Sequence, residues 1–280
     1  MKKIKAAHGK SSCPLAILGG GNMGASIARG LVAAGYCRPQ DILITRRQAG
    51  ALEALAKEGF SVLTDNREAV RRARIVVLAV RPQHSAGLLR EIALDMAKTQ
   101  PLLISVVTGI SVAEILALLG KSAEVVRAMP NIAVEIRESM TCLAAPTASQ
   151  ESVRLARSLF DALGTTLVIE EELMLPATAL CACGLAFFLR SIRAASQGGI
   201  QIGFHSDDAL VMAAQTARGA ASLLLKSKSH PEGEIDKVTT PSGCTIAGLN
   251  EMEHHGFSSA MIMGIVTSAE KAAVLFNKKK

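Results

Sequence analysis

The chain has no tryptophan, one tyrosine (Tyr36) and seven phenylalanines among 280 residues. Proteins that hold single-stranded nucleic acid stack bases on aromatic platforms, and RNA-reading sheets carry aromatic motifs. The material for either surface is missing. Long apolar runs are missing too. One largely apolar uncharged stretch, Leu173 to Leu189, has 17 residues between Glu172 and Arg190. That touches the lower limit for a membrane span, but Pro176, Gly184 and two cysteines interrupt it, which favours a buried core or interface helix. The N-terminal lysines have no apolar stretch behind them, so no signal peptide is expected. The six cysteines, at 13, 37, 142, 181, 183 and 244, are scattered. In an α/β-type chain this reads as free thiols in a reducing cytoplasm. Cys181 and Cys183 have no histidine nearby, so no metal site is expected.

What is present bounds the class. Hydrophobic residues make up 49% of the chain, enough for a packed core and too many for a disordered protein. The length suits two domains. The net charge of +7 belongs to the ends. Lys2, Lys3, Lys5, Lys10, Lys278, Lys279 and Lys280 account for it, and without them 24 bases face 24 acids. Terminal lysines of this kind read as solvated tails, not as a nucleic-acid or membrane patch.

Up to residue 170, short β-branched runs alternate with helical patterns. Strands are expected at 14–18, 41–45, 61–63, 75–80, 102–107, 125–128, 141–144 and 166–169. Helices are expected at 24–34, 48–58, 84–98 and 111–119. Nearly all-apolar strands separated by helices predict a parallel sheet covered on both faces. After Glu170-Glu171-Glu172 strand signals stop. Long helical patterns run to about 227. The stretch 229–244 reads as a loop, followed by helices from about 245 and from 258 to 276. The expected organisation is a basic tail (1–13), a Rossmann-type dinucleotide-binding domain (14–170) and an all-α domain (171–277).

Gly19-Gly20-Gly21-Asn22-Met23-Gly24 follows the first strand and opens a helix, as G-x-G-x-x-G does in dinucleotide-binding folds. Gly19 permits the turn, Gly21 lets backbone approach a pyrophosphate, and Gly24 lets helix and strand pack closely. The helix start offers N–H groups and a positive dipole end. At the end of the second strand, Thr45-Arg46-Arg47 stand where an acid would hold the ribose of NAD. Two guanidiniums and a hydroxyl suit a 2′-phosphate, so NADPH is the expected cofactor, with NADH a weaker one. Loop 239–245 (TTPSGCT) runs into a helical pattern. The N–H groups of Gly243, Cys244 and Thr245, with the hydroxyls of Thr240 and Thr245, can cradle a carboxylate; Thr245 could equally be an N-cap.

The chain resembles the pyrroline-5-carboxylate reductases from about residue 15 to 275. The resemblance rests on Gly21-Asn22-Met23-Gly24, Ala79-Val80-Arg81-Pro82-Gln83, Arg127-Ala128-Met129-Pro130-Asn131 and Pro241-Ser242-Gly243-Cys244-Thr245-Ile246-Ala247-Gly248-Leu249, in that order. It implies reduction of a cyclic imine carboxylate to proline with NADPH, by a homodimer whose second domain interlocks with its copy, in some members a decamer. It places Asn66 near the adenosine ribose, Ala79 to Gln83 beneath the cofactor, and Met129, Pro130 and Asn131 beside the nicotinamide. Thr240 and Thr245 fall on the substrate side. A β-hydroxyacid dehydrogenase would share the nucleotide domain but needs a catalytic lysine on a helix of the second, and residues 173–225 contain none.

The chain departs from the family on the substrate side. Cys181-Ala182-Cys183-Gly184-Leu185-Ala186 replaces Ser-Gly-Ser-Gly-Pro-Ala, Arg193 replaces a glutamate, and Ser242 and Cys244 replace a glycine and a threonine. Thiols are weak hydrogen-bond partners but also serve as small buried hydrophobes. These changes leave open a reductase for a different imine, or a non-catalytic NADP(H)-binding relative.

Overall fold

A computed structural model describes residues 14–277, so the lysine tails lie outside the described residues. Two compact units divide between Ala182 and Cys183, with residues from Ala272 onward belonging to the first.

The first unit is built on one eight-stranded sheet. Its strands are β1 (Leu15–Leu18), β2 (Ile42–Thr45), β3 (Ser61–Leu63), β4 (Ile75–Leu78), β5 (Leu102–Ser105), β6 (Val125–Met129), β7 (Ser139–Ala144) and β8 (Gly164–Val168). The spatial order is β3-β2-β1-β4-β5-β6-β7-β8. The helices between them are α1 (Asn22–Ala33), α2 (Glu53–Lys57), α3 (Asn66–Arg72), α4 (Pro82–Thr99), α5 (Val112–Leu119) and α6 (Gln150–Asp161).

Residues alternate between two apolar layers along each central strand. Leu15, Ile17, Ile42, Ile44, Ile75 and Val77 join Ile27 and Leu31 of α1 and Phe160 of α6. Ala16, Leu18, Leu43, Val76 and Leu78 join Val70, Leu89 and Ile92 of α3 and α4. Burial on both faces explains why these strands read as continuous apolar runs and not as an alternation.

The sheet is mostly parallel, as expected, with one exception. β6 and β7 are antiparallel, and β7 pairs in parallel with β8. Only residues 130–138 connect β6 to β7, around a 3₁₀ turn at Ile132–Ile136. A crossover to a parallel neighbour needs a dozen residues or more, so the chain must reverse.

α3 and α4 are tied by a carboxylate. Asp95 is 3% exposed and accepts from Arg67 Nε at 2.7 Å and Arg71 Nη1 at 3.2 Å. The Arg67 bond outweighs the burial and holds Asp95 below the usual carboxylate range.

The helical run begins at Glu171 with a 3₁₀ turn and α7 (Met174–Ala177). It passes through a π-helical stretch, Thr178–Cys183, into α8 (Gly184–Gln201). The chain continues with α9 (Ser206–Ser227), α10 (Pro231–Asp236), α11 (Cys244–His254) and α12 (Phe257–Asn277), in the second unit as far as Lys271. α8 packs on α9, closely at Gly199, where an added Cβ would lie 3.0 Å from that of Ala209. The stretch read as a loop over 229–244 contains α10, a single short turn with Pro231 at its start and His230 Nδ1 accepting from Glu232 N. Among the described residues one helical segment, Glu171–Gln201, is long and apolar enough to cross a membrane, with mean hydropathy 1.8.

Candidate active site

The carboxyl ends of β1, β2 and β4 meet at the glycine turn. Gly19 N and Gly20 N both donate to Thr45 O, at 3.1 and 2.8 Å, and Ala79 N donates to Leu18 O at 2.9 Å. Gly19 has φ +118, and a Cβ on it would strike the carbonyl of Ala79. A Cβ on Gly24 would strike the carbonyl of Gly19. Gly21 is different: a Cβ there would meet nothing within 4 Å. It is the N-cap of α1, with no side-chain cap and no acid in the first turn. The start of α1 at Asn22, Met23 and Gly24 therefore offers donors and open space together, which fits a pyrophosphate.

Beside this turn, Arg46 and Arg47 are exposed. Arg46 Nη1 donates to Gly20 O at 3.3 Å, and Arg47 Nη2 donates to His84 Nε2 at 3.2 Å. Thr45 does not share this outlook. It is 1% exposed and gives its hydroxyl proton to Asn66 Oδ1 at 2.6 Å, so the donor expected for a phosphate is already spent. Asn66 starts α3 and donates onward to Glu91 Oε1 at 3.0 Å. Arg81 is the N-cap of α4, Pro82 occupies its first position, and Gln83 is exposed. Ala79 and Val80 are half-buried. A cavity of about 290 Å³ beyond β4 and β5 is lined by Pro82, Ser85, Gly109, Ile110 and Glu114, among others. The sequence reading missed this second loop; its signal is the Thr108-Gly109 turn after β5.

At the end of β6, Met129 is 4% and Asn131 8% exposed. Asn131 accepts from Ala133 N at 3.0 Å and donates through Nδ2 to Cys181 O at 3.1 Å, so its amide braces the π-helical stretch. Two further features escaped the sequence reading. Arg127 has a buried side chain whose Nη1 donates to Glu171 Oε1 at 3.0 Å. The same oxygen accepts Val112 N at 2.7 Å, while Arg127 Nε has no partner. An arginine inside the apolar run Val125–Met129 was the available signal, since a buried charge demands a counterion. The second is a pair of thiols: Cys142 Sγ and Cys181 Sγ are 3.9 Å apart. Cys142 is buried and its thiol is pushed up, while the hydrogen bond it gives pulls Cys181 down to about 7.

Loop 239–245 is described within its own unit. α11 begins at Cys244 with Gly243 as N-cap and no side-chain cap. This corrects the N-cap role considered for Thr245, which sits in the first turn and is half-buried. The cradle also needs a correction. Gly243 N donates to Thr240 O at 2.9 Å, so its N–H is committed within the loop. The open donors are the N–H groups of Cys244 and Thr245 and their neighbours, with the hydroxyls of Thr240 and Thr245 alongside. Ser242 has φ +58, a left-handed conformation that glycine adopts without strain.

The doubly wound sheet, the glycine turn and the basic end of β2 define a dinucleotide-binding oxidoreductase of the Rossmann type. Comparison with known proteins narrows this. Residues 171–275 match the family described as pyrroline-5-carboxylate reductase dimerisation, and residues 14–109 that described as NADP oxidoreductase, coenzyme F420-dependent. Pyrroline-5-carboxylate reductase 2 of Dictyostelium discoideum is 47% identical, over 94% of this chain and 93% of its own. Pyrroline-5-carboxylate reductase 1 of the same organism is 50% identical over 95% of this chain, which spans half of that protein's length. A solved pyrroline-5-carboxylate reductase from Coxiella burnetii superposes with TM-score 0.87 at 29% identity, covering 95% of this chain and 99% of that one. The Plasmodium falciparum pyrroline carboxylate reductase, solved with NADP bound, shares the fold with TM-score 0.84 at 22% identity, over 96% and 100%. The chain belongs to the pyrroline-5-carboxylate reductases, and its helical region is an oligomerisation region.

Proposed function

We propose that this chain reduces the C=N bond of 1-pyrroline-5-carboxylate to give L-proline, using NADPH, with NADH a weaker donor. The observation that carries the reading is the open glycine cradle beside Arg46 and Arg47, in a chain of this family. Gly19, Gly21 and Gly24 let the backbone approach the pyrophosphate, and the N–H groups of Asn22, Met23 and Gly24 receive it. Arg46 and Arg47 hold the 2′-phosphate, while Thr45 acts through Asn66, orienting it towards the ribose. Ala79 to Gln83 floor the site, and Met129 and Asn131 border the nicotinamide.

When bound, the nicotinamide supplies the hydride that the imine carbon accepts. The protein aligns two rings and excludes water, which is where the rate comes from. A protonated imine is already electrophilic, which is consistent with Thr240 and Thr245 as the only catalytic side chains assigned, both binding and orienting. Loop 239–245 receives the substrate carboxylate through Cys244 N, Thr245 N and the two hydroxyls.

The second copy is this chain's own partner: a homodimer, and a decamer in its fullest assembly. Phe188, Val211, Leu225 and Ile262 stand exposed on the helices of a single chain, and apolar surface of this extent is what an oligomer interface covers. We place the protein in the cytoplasm, with neither nucleic acid nor membrane as partner. The test is NADPH oxidation by the purified chain with pyrroline-5-carboxylate, and piperideine-6-carboxylate in parallel. Activity on the first supports the proposal. Turnover of the second alone, or of neither while NADPH binds, refutes it.

A further inference from the structure

Cys142 and Cys181 come from distant parts of the sequence. Cys142 lies in β7 at 4% exposure, in an apolar cluster with Met129, Ala144, Met174 and Ala177. Cys181 packs on that cluster half-exposed, from the π-helical stretch Thr178–Cys183. Two inert buried thiols would need only to fill space. This pair is arranged otherwise. The sulfurs are 3.9 Å apart, within hydrogen-bond reach of one another. Cys142 is buried while Cys181 is part-exposed, and their contact favours the thiolate on Cys181 and the thiol on Cys142.

We propose that Cys142 and Cys181 form a redox-active dithiol, a site at which a hydroperoxide is reduced at the expense of the two thiols, leaving a Cys142–Cys181 disulfide. In the first step the Cys181 thiolate attacks the peroxide oxygen. The S–O bond forms, the O–O bond breaks, hydroxide (or alkoxide) leaves, and Cys181 becomes a sulfenic acid. In the second, Cys142 attacks that sulfur. The S–S bond forms, the S–O bond breaks, and hydroxide leaves with the Cys142 proton as water. The peroxide gains two electrons and the two thiols lose them.

Closure requires the sulfurs to approach by about 1.9 Å, from their present separation to a disulfide bond length. The slack lies on the Cys181 side. Its i→i+5 bonding departs from regular helix, a feature that concentrates at functional sites. β7, held on both sides by neighbouring strands, stays fixed. The exposed Cys244 and the half-buried Cys183 serve as internal controls, since the proposal puts the link between Cys142 and Cys181 alone.

The test uses the full chain, reduced and then treated with hydrogen peroxide under anaerobic transfer. Thiols counted after denaturation should fall from six to four, with a mass loss of two hydrogens. Peptide mapping should find Cys142 linked to Cys181, and dithiothreitol should restore all thiols. Cys142→Ala should instead trap a sulfenic acid on Cys181, captured by dimedone. Cys181→Ser should abolish both products, and Cys183→Ala should leave the link intact. Six persisting thiols, a link through other cysteines, or an unchanged two-thiol loss in Cys142→Ala would each overturn the proposal. None of these readouts depends on imine reduction, so failure here is separable from failure of the reductase reading.

Discussion

Truncating Glu171 should destabilise the first unit far more than its one-fifth exposure suggests. The Glu171 side chain is 19% exposed and that of Arg127 6%. One oxygen, Oε1, takes both the Arg127 guanidinium and the Val112 amide. Glu171→Ala strands a buried cation whose Nε already lacks a partner, and it leaves Val112 N, in the first turn of α5, without its acceptor. Breaking a buried pair from one side costs 3–5 kcal/mol, and the partial exposure of Glu171 argues for the lower end, about 3 kcal/mol. At 2–4 °C per kcal/mol for chains of this size, Tm should fall by about 6–12 °C. Glu171→Gln retains an acceptor for Val112 and should lose about half as much. The double variant Arg127→Met/Glu171→Ala should recover most of the loss, since it removes the charge along with its partner. The assay is thermal and urea unfolding at one fixed protomer concentration, because assembly shifts apparent stability. A Glu171→Ala variant within 1 kcal/mol of the parent, or a double variant no better than the single, would refute the reasoning.

Arg47→Ala should weaken NADPH about fivefold and NADH less than twofold, because an exposed charge-assisted bond contributes about 1 kcal/mol; equal effects on both nucleotides, by fluorescence titration, would remove Arg47 from the phosphate. Thr245→Ala should lower kcat/KM for the imine about tenfold, or about 1.4 kcal/mol, and an unchanged value would end its role. Ser242→Gly relieves a left-handed φ that costs about 1–2 kcal/mol, offset in part by glycine's extra unfolded-state entropy, so melting should rise by a degree or two; a clear fall would contradict the strain. Asp95 is depressed in the fold, so its contribution is full above its ordinary value near pH 4 and disappears as pH falls through the folded value. The Tm gap between parent and Asp95→Asn should therefore shrink from pH 7 to pH 3, and a constant gap would show that the charge does not matter.

The central strands were legible because β1, β2 and β4 are buried on both faces and apolar throughout. The glycine turn was legible because its spacing is set by backbone sterics. Strand direction was not: Ser139–Ala144 carries no mark of running antiparallel to its neighbour, and only the short connection from β6 reveals it. The single turn of α10 was hidden in a segment rich in Pro, Gly and Thr. At the site, residue types could nominate Arg46 and Arg47, but not that Thr45 would turn to Asn66 or that Gly243 would spend its N–H on Thr240. Those depend on backbone direction within one residue. The family resemblance supplied the order of the motifs, and the geometry removed two donors, the Thr45 hydroxyl and the Gly243 N–H, from the reading of residue types.

The glycine turn also sets what a genetic screen could find. An alanine at Gly19 or Gly24 collides with main-chain carbonyl oxygens, of Ala79 and Gly19 respectively. No change of side chain moves a carbonyl, so neither lesion has an intragenic suppressor at the residue it strikes. Gly20 lies two steps from the same fate: a Cβ there meets Ile44 Cγ2 at 2.9 Å and the tips of Leu55 and Leu52 at 3.4 and 3.5 Å. Its revertants should map to position 44, where alanine removes the Cγ2 methyl. Within six residues, then, two positions are closed to compensatory evolution and one is negotiable.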